Sequence, residues 1–144
     1  MNKEERWKQE FEQFKKDLNY LRKSLEYVQK DEKDEMLRRL LFGGMLQGFG
    51  VVIRRSSCVM NEYMQSLGQG KNKSLKNILV KALKMNLITQ KRWLEAEEDL
   101  NAVYDVEDMQ ASLKMEKKII KIYIPLFTRF ELDMEAKTQP TLFG

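Results

Sequence analysis

The chain has 144 residues, a length typical of one domain, and its 26 basic and 22 acidic residues give a formal charge of +4. It has no histidine and a single cysteine, Cys58. These counts exclude an intrachain disulfide, a multi-thiolate zinc site and every mechanism that requires an imidazole. The excess of basic residues is mild and would indicate nucleic-acid binding only if the cations were clustered.

The sequence predicts a cytoplasmic protein that does not enter a membrane. The longest apolar run, counting glycines, covers only the seven residues from Leu40 to Leu46, and this is too short to cross a bilayer. The N-terminal residues are charged and no apolar core follows them, so they do not resemble a signal peptide. Cys58 lies in an apolar helical stretch, where we expect a small buried side chain.

The composition predicts an all-α fold. Leucine far outnumbers threonine, proline occurs only at Pro125 and Pro140, and no segment alternates apolar and polar residues for long. We expect an up-and-down bundle of about five helices. The bundle should form a single domain over residues 1–134, followed by a loose C-terminal tail over residues 135–144.

The first predicted helix covers residues 4–29, with Asn2 as its N-cap. Apolar residues follow it at alternating spacings of four and three, which places them in one narrow seam. The seam consists of Trp7, Phe11, Phe14, Leu18, Leu21, Leu25 and Val28. It either packs inside its own domain or binds a partner or a second copy. The short pattern favours the first interpretation, since three or four heptads are the minimum for a coiled coil.

The second predicted helix covers residues 34–67 and contains Gly43, Gly44, Gly48 and Gly50. Each glycine costs a helix about 0.5–1 kcal/mol relative to alanine. Four glycines in eight residues therefore indicate either a break or a close helix crossing, and the second is favoured by the shared face of Gly44 and Gly48.

Capping residues divide the rest of the chain. Ser74 is the predicted N-cap of a third helix, and Asn86 suits the left-handed residue after its end. Thr89 is the predicted cap of a fourth helix and Asp105 of a fifth, which Pro125 should kink.

Charges of opposite sign fall into two adjacent blocks. The basic block runs from Lys71 to Arg92, and the acidic block contains Glu95, Glu97, Glu98, Asp99, Asp105, Glu107 and Asp108. One interpretation is two solvated faces that partly neutralise each other. The other is a basic surface for phosphates beside an acidic surface for a basic partner. The residues that would bind substrate or phosphate are Lys73, Lys76, Lys81, Lys84, Lys91 and Arg92.

The sequence contains no signal for a cofactor or a metal. The acidic block could offer carboxylates to Mg²⁺, but it lacks a loop of fixed ligand spacing, and capping is the favoured role for Asp105. No P-loop, dinucleotide fingerprint or kinase signature is present. We therefore predict no cofactor and no metal ligand. On the fifth helix Lys114, Lys117, Lys118 and Lys121 line one side, a pattern typical of a solvated face and only sometimes of a phosphate track.

Three segments, in order, resemble the nucleotidyltransferase substrate-binding protein family, a small all-helical group in the HEPN superfamily. Residues 41–49 form a glycine-containing stretch with glutamine and phenylalanine. Residues 75–88 end in a Leu-Ile pair, and residues 93–101 carry a tryptophan followed by aspartate and asparagine. The resemblance implies a helical fold, a homodimer and a separate small nucleotidyltransferase as partner.

The family motif is degenerate in this chain. Trp93, Asp99 and Asn101 fall on the family's tryptophan, aspartate and asparagine. Its arginine falls on Leu100, its histidine on Asp105 and its tyrosine on Glu107. In ribonuclease members of the superfamily the arginine and histidine are the catalytic pair, because RNA cleavage needs charge stabilisation and proton transfer. Leu100 can supply neither.

The sequence therefore predicts a non-catalytic subunit that pairs with a nucleotidyltransferase and helps to bind its substrate, as in toxin–antitoxin-like pairs. The acidic block or the first-helix seam would be its partner surface. One alternative is a HEPN-type ribonuclease toxin, which the missing arginine and histidine disfavour. The other is a nucleic-acid-binding bundle that uses its lysine-rich helices. A nucleotide or a nucleic acid would then be the ligand.

Overall fold

The computed structural model describes residues 2–30, 32–104 and 109–139, and contains no strand within those ranges. The helices are α1 (Lys3–Gln29), α2 (Glu35–Ser66), α3 (Leu75–Lys84), α4 (Ala96–Tyr104), α5 (Met109–Lys118) and α6 (Ile124–Thr138). A 3₁₀ turn (Lys91–Glu95) leads directly into α4, and a π turn (Ile119–Tyr123) joins α5 to α6. Counting such continuous segments once gives five helices, so the predicted all-α bundle is confirmed.

The seam of α1 forms one side of the hydrophobic core. Asn2 caps the helix, its side chain accepting a hydrogen bond from the Glu5 backbone N–H at 2.8 Å. The first six seam residues are buried, and four of them have no exposed surface: Phe11, Phe14, Leu18 and Leu21. Because α1 packs along α2, this apolar surface is consumed within one chain. The interpretation of the seam as a partner surface is therefore wrong.

The second helix is unbroken, with Asp34 as its N-cap. The alternative of a break at the glycines is therefore wrong. Among the glycines of α2, only Gly48 and Gly50 lie close to another residue's side chain. A Cβ at Gly48 would lie 3.6 Å from Leu21 Cδ1, and one at Gly50 would lie 3.1 Å from Leu100 Cδ1. A Cβ at Gly43 or Gly44 would meet no atom within 4 Å.

Two other features of α2 differ from expectation. Cys58 is exposed rather than buried, because it lies on the side of α2 that faces away from the core. By length and mean hydropathy alone, α2 could also cross a membrane, since its most apolar window reaches a mean hydropathy of 1.3. In the bundle 44% of that window is buried, and the core helix of a soluble protein meets the same criterion.

The connections after α2 follow the predicted capping residues with one exception. Gly68 has a φ of 88° at the end of α2, and Asn86 has a φ of 58° after α3, both in the left-handed region. Ser74 Oγ accepts a hydrogen bond from the Asn77 backbone N–H at 3.1 Å. Thr89 is not a cap: the 3₁₀ turn begins after Gln90, whose side chain makes no capping bond. The predicted cap Asp105 lies outside the described residues.

The long last helix widens into the π turn immediately before Pro125. The Ile124 backbone N–H bonds to the Ile119 carbonyl, five residues back, and Pro125 has no N–H to continue the regular pattern. The helix then extends to Thr138, past the predicted domain boundary at 134. Within that extension Glu135 accepts a hydrogen bond from Lys15 of α1 at 3.2 Å. Residues 140–144 lie outside the described residues.

The burial of the α1 seam predicts a specific cost for its truncation. Leu18→Ala should lower the free energy of unfolding by about 2–5 kcal/mol, because it leaves a cavity in the core. Lys16→Ala, on the exposed side of α1, should change it by less than about 0.5 kcal/mol. Urea denaturation at several protein concentrations measures both. A Leu18→Ala effect that disappears on dilution would instead place the seam between chains.

Candidate functional site

The predicted cations lie just before α3, on its solvent side and on the 3₁₀ turn. Ile78, Leu79 and Ala82 turn the apolar side of α3 into the core, which leaves its other sides facing water. Because α3 packs against the 3₁₀ turn, the cations of the turn lie beside the helix. We call the following six residues the cation surface: Lys73, Lys76, Lys84, Lys91 and Arg92, which are exposed, and Lys81, which is half-buried.

The described members of the acidic block, Glu95, Glu97, Glu98 and Asp99, form few ion pairs with the cation surface. Only Arg92 forms an ion pair, with its Nε 2.7 Å from Glu95 Oε2. The five lysines make no ion pair within the part of the chain that the structure describes. Over the same part, Glu97 and Glu98 are exposed and make none either. Among the described residues the two blocks therefore neutralise each other at one pair only, Arg92 with Glu95.

Asp99 belongs to the acidic block in the sequence, but in the fold it is buried. Its carboxylate is only 8% exposed. Lys118 Nζ lies 2.9 Å from Oδ1, and the Tyr123 hydroxyl donates to Oδ2 at 2.5 Å. These two bonds join α4 to the end of α5 and to the π turn. A buried carboxylate that is both hydrogen-bonded and ion-paired is a structural anchor.

Tyr123 supplies a permanently neutral donor to this anchor. Its ring is fully buried and packs edge-on against Phe49, with centroids 4.7 Å apart. Burial raises the pKa of the Tyr123 hydroxyl far above its ordinary value of 10.0, and the hydrogen bond to Asp99 raises it further. The hydroxyl therefore stays protonated near neutral pH and cannot act as a base or a nucleophile.

A groove of about 440 Å³ runs between the 3₁₀ turn and α6. We call it the turn–α6 groove. Its lining combines three cations with an apolar wall and one amide: Gln90, Arg92, Lys121, Ile122, Pro125, Leu126 and Arg129. Arg129 Nε is paired with Asp133 at 3.2 Å, and Lys121 makes no ion pair with a described residue. Arg92 belongs both to the cation surface and to this groove.

A wider depression of about 730 Å³ lies at the start of α2 and includes Met109 and Ser112 of α5. Its lining mixes cations with carboxylates, among them an Arg39–Glu35 pair at 3.6 Å. Arg38 lies over the Phe42 ring, 5.7 Å from its centroid. Because both charge signs line it, this depression fits a polyanion less well than the turn–α6 groove.

No group of three carboxylate or thiol side chains that could hold a metal ion occurs among the residues whose placement the structure gives. The functional chemistry visible in the described ranges is therefore that of cations, buried hydrogen bonds and apolar surface.

A family model described as "Nucleotidyltransferase substrate binding protein like" matches residues 9–136. The chain belongs to this family. The match covers most of the bundle, including α3, the 3₁₀ turn and the turn–α6 groove, and it confirms the family predicted from three short segments. No curated protein gives a significant match to the chain.

The positions of the nucleotidyltransferase substrate-binding motif have structural roles here. Trp93 is 2% exposed and packs between Phe127 and Phe130, with both ring centroids 5.8 Å away. Leu100, at the position of the family's arginine, is buried against Gly50. Asn101 is exposed. The structure does not describe Asp105 or Glu107.

Sequence reasoning missed several residues around the site. Lys118 and Tyr123 anchor Asp99 from 19 and 24 residues away, and the sequence carries no signal for such a distant contact. Gln90 and Arg129 were missed for the same reason, since they come together in the groove only in the folded chain. The one sequence signal for these residues was the lysine row of the fifth predicted helix. In the structure Lys121 of that row lines the groove, and Lys118 is bonded to Asp99.

The Asp99 anchor predicts both a stability loss and a pH effect for Tyr123→Phe. At pH 7 the variant should lose about 1.5–3 kcal/mol of stability, the usual range for a hydrogen bond to a charged group. The pKa of Tyr123 is raised on folding above 10.0. Above pH 10 the folded chain therefore keeps a proton that the unfolded chain loses, and stability falls as pH rises.

Tyr123→Phe should remove that part of the alkaline decline. Urea denaturation from pH 8 to pH 11 measures it, and the difference in stability between wild type and variant should shrink above pH 10. A difference that stays constant over this range would contradict the assignment.

Proposed function

We propose that the chain is a non-catalytic subunit that pairs with a small nucleotidyltransferase and helps to hold that enzyme's substrate. The observation that carries the proposal is the cation surface, five of whose six members lack an ion pair with any described residue. A patch of unpaired cations attracts phosphate groups and raises their local concentration. Membership of a family named for substrate binding makes a phosphate-bearing substrate the natural ligand.

The absence of a catalytic role is supported by the groups available near the site. Leu100 is an apolar core residue at the position of the arginine found in ribonuclease members. The chain has no histidine to pair with such an arginine. Tyr123 stays protonated in the interior, and Asp99 is already bonded twice. The ribonuclease alternative would therefore require a new set of catalytic groups.

The partner surface that best fits the described residues is the acidic one. Glu95, Glu97 and Glu98 are exposed on the 3₁₀ turn and α4, directly beside the cation surface. A nucleotidyltransferase with a basic edge could dock there while its substrate is held by the neighbouring lysines. The proposed pair would work in the cytoplasm.

We also propose that two copies of the chain associate through α2. Besides its core side, α2 has an outward stripe at spacings of three and four: Met36, Leu40, Gly43, Gln47, Val51, Arg54 and Cys58. Met36 and Leu40 are 66% and 65% exposed, an apolar surface that the single chain does not use.

A second copy fits this stripe because the stripe is complementary to itself. Its bulky side chains and its glycine lie on the same face of one helix, so an antiparallel copy would bring Leu40 towards the small residues of the other chain. The fold of one chain gives no reason for Gly43, since a Cβ there would meet nothing within 4 Å. A crossing helix would supply that reason.

The paired function predicts a complex that depends on the acidic surface. Co-expressed with a small nucleotidyltransferase from the same organism, the chain should co-purify with that enzyme at micromolar concentrations. Glu97→Lys together with Glu98→Lys should weaken the complex by about tenfold or more, as expected when charges oppose a complementary surface. The control is Glu4→Lys with Glu12→Lys, which makes the same charge change on α1. Absence of a complex with wild type would contradict the pairing.

The α2 interface predicts a monomeric variant. Leu40→Glu should shift the chain from dimer to monomer in analytical ultracentrifugation, because it places a charge in an apolar contact. Leu132→Glu is the matched control, since Leu132 on α6 is 63% exposed but lies off the stripe. A wild-type chain that sediments as a monomer, or a Leu40→Glu dimer as stable as wild type, would contradict this interface.

The second candidate function is nucleic-acid binding. The unpaired lysines of α3 favour it, since a surface of cations can follow a phosphate backbone. Affinity would then fall steeply and log-linearly with salt, and would not require a nucleotidyltransferase. Absence of RNA or DNA binding at low salt would remove this candidate.

A further inference from the structure

We propose that the turn–α6 groove is a nucleotide site, with the phosphates on Arg92, Lys121 and Arg129 and the base on the apolar wall. This inference rests on the proposed function and assigns the substrate class and the place where it binds. The volume of about 440 Å³ falls in the range of about 300–1,000 Å³ that small-molecule sites usually have.

The two arginines are oriented as phosphate ligands. Arg92 bonds to Glu95 and Arg129 to Asp133, and in both pairs the arginine uses its Nε. In each pair the closest approach is at Nε, and the terminal Nη groups of the two arginines donate no hydrogen bond to a described residue. A guanidinium held at Nε by a carboxylate still offers its outer N–H groups as a fork, and this fork matches the oxygens of a phosphate.

The third cation comes from the same face of the last helix. Lys121, Pro125 and Arg129 follow one another at intervals of four residues, which places them in one row along the helix. Lys121 is exposed and lacks an ion pair within the described part of the chain. No carboxylate is among the residues found to line the groove. Glu95 and Asp133 stand outside it, and their exposed pairs are too weak to exclude a phosphate.

The opposite requirement, a surface for the uncharged part of the ligand, is met by Ile122, Pro125 and Leu126. These side chains form the apolar wall of the groove, beside the amide of Gln90. An apolar wall can take a flat base, and an amide can both donate and accept hydrogen bonds at its edge. An inorganic polyphosphate would leave this wall unused.

The π turn at the floor of the groove is bonded to Asp99 of α4. Lys121 and Ile122 belong to the π turn, and Lys118 and Tyr123 on either side of them are both bonded to Asp99. π turns are frequent at functional sites. A floor anchored in this way positions the three cations before a ligand arrives, which lowers the entropic cost of binding.

The test is equilibrium binding of ATP, GTP, CTP and UTP, each measured by isothermal titration calorimetry on the full chain. At least one should bind to wild type at submillimolar concentration. Lys121→Gln with Arg129→Gln should weaken the binding of that nucleotide by about tenfold or more, since both substitutions remove charged donors to the phosphates. The matched control is Lys114→Gln with Lys117→Gln, on exposed positions of α5 outside the groove.

Two further measurements separate the phosphate and base components. Arg129→Lys should also weaken binding, because a lysine keeps the charge but loses the fork. Tripolyphosphate should bind several-fold more weakly than the matching nucleotide, and Ile122→Ser, at a half-buried residue of the same wall, should reduce only the affinity for the nucleotide. Equal affinity for tripolyphosphate and nucleotide would overturn the assignment of the base to the apolar wall.

The outcomes distinguish this inference from the proposed function. If the groove variants bind the nucleotide like wild type, or if wild type binds none of the four, the groove is not the site, although co-purification with the nucleotidyltransferase would still support the pairing. If Lys76→Gln with Lys84→Gln abolishes binding and the groove variants do not, the cation surface alone holds the substrate. If only the groove variants lose binding and no complex forms, the groove assignment holds and the pairing fails.

Discussion

The hydrogen-bonded carboxylate of Asp99 is the contact on which the geometry of this protein most depends. An ionised side chain is costly to bury unless its oxygens are satisfied, and here the Tyr123 hydroxyl takes one oxygen and Lys118 the other. Lys118 immediately precedes the π turn and Tyr123 is its last residue. The Asp99 carboxylate therefore fixes the position of α4 relative to the last helix. The turn–α6 groove lies between the elements that this contact joins, since Arg92 precedes α4 and Lys121 belongs to the π turn.

The separation of charge has a cause in the same arrangement. Asp99 is buried and paired with the half-exposed Lys118, so its carboxylate does not contribute to the acidic surface. Glu95 is engaged by Arg92. Glu97 and Glu98 stay exposed on α4, while the lysines of α3 face solvent without a carboxylate in reach among the described residues. Because the apolar side of the short helix α3 is packed into the core, its lysines must lie on the sides that face solvent. The surface that they form is therefore cationic.

Local signals in the sequence predicted the helices well, and contacts between distant residues marked the limit. Asn2, Ser74 and Asn86 were correctly placed because capping depends on a few neighbouring residues. The α1 seam and the family segments were readable for the same reason. The exposure of Cys58, the π turn before Pro125 and the Asp99 anchor depend on which helix packs where. Two of the three groove cations, Arg92 and Lys121, lie in charged stretches that the sequence shows, but Arg129 and Gln90 join the groove only through the fold.

Leu100, which falls on the position of the family's arginine, is a residue of the core. Leu100 packs beside Gly50, where even the Cβ of an alanine would lie 3.1 Å from Leu100 Cδ1. An arginine at position 100 would therefore have to leave this contact or bury its charge, and an unpaired buried charge costs several kcal/mol. A catalytic pair of the kind found in ribonuclease members would need a different packing of α2 against α4 as well as an imidazole, and the chain has no histidine. The cations of α3 and of the groove lie on exposed surface outside this contact, so the proposed binding role does not depend on the residue at position 100.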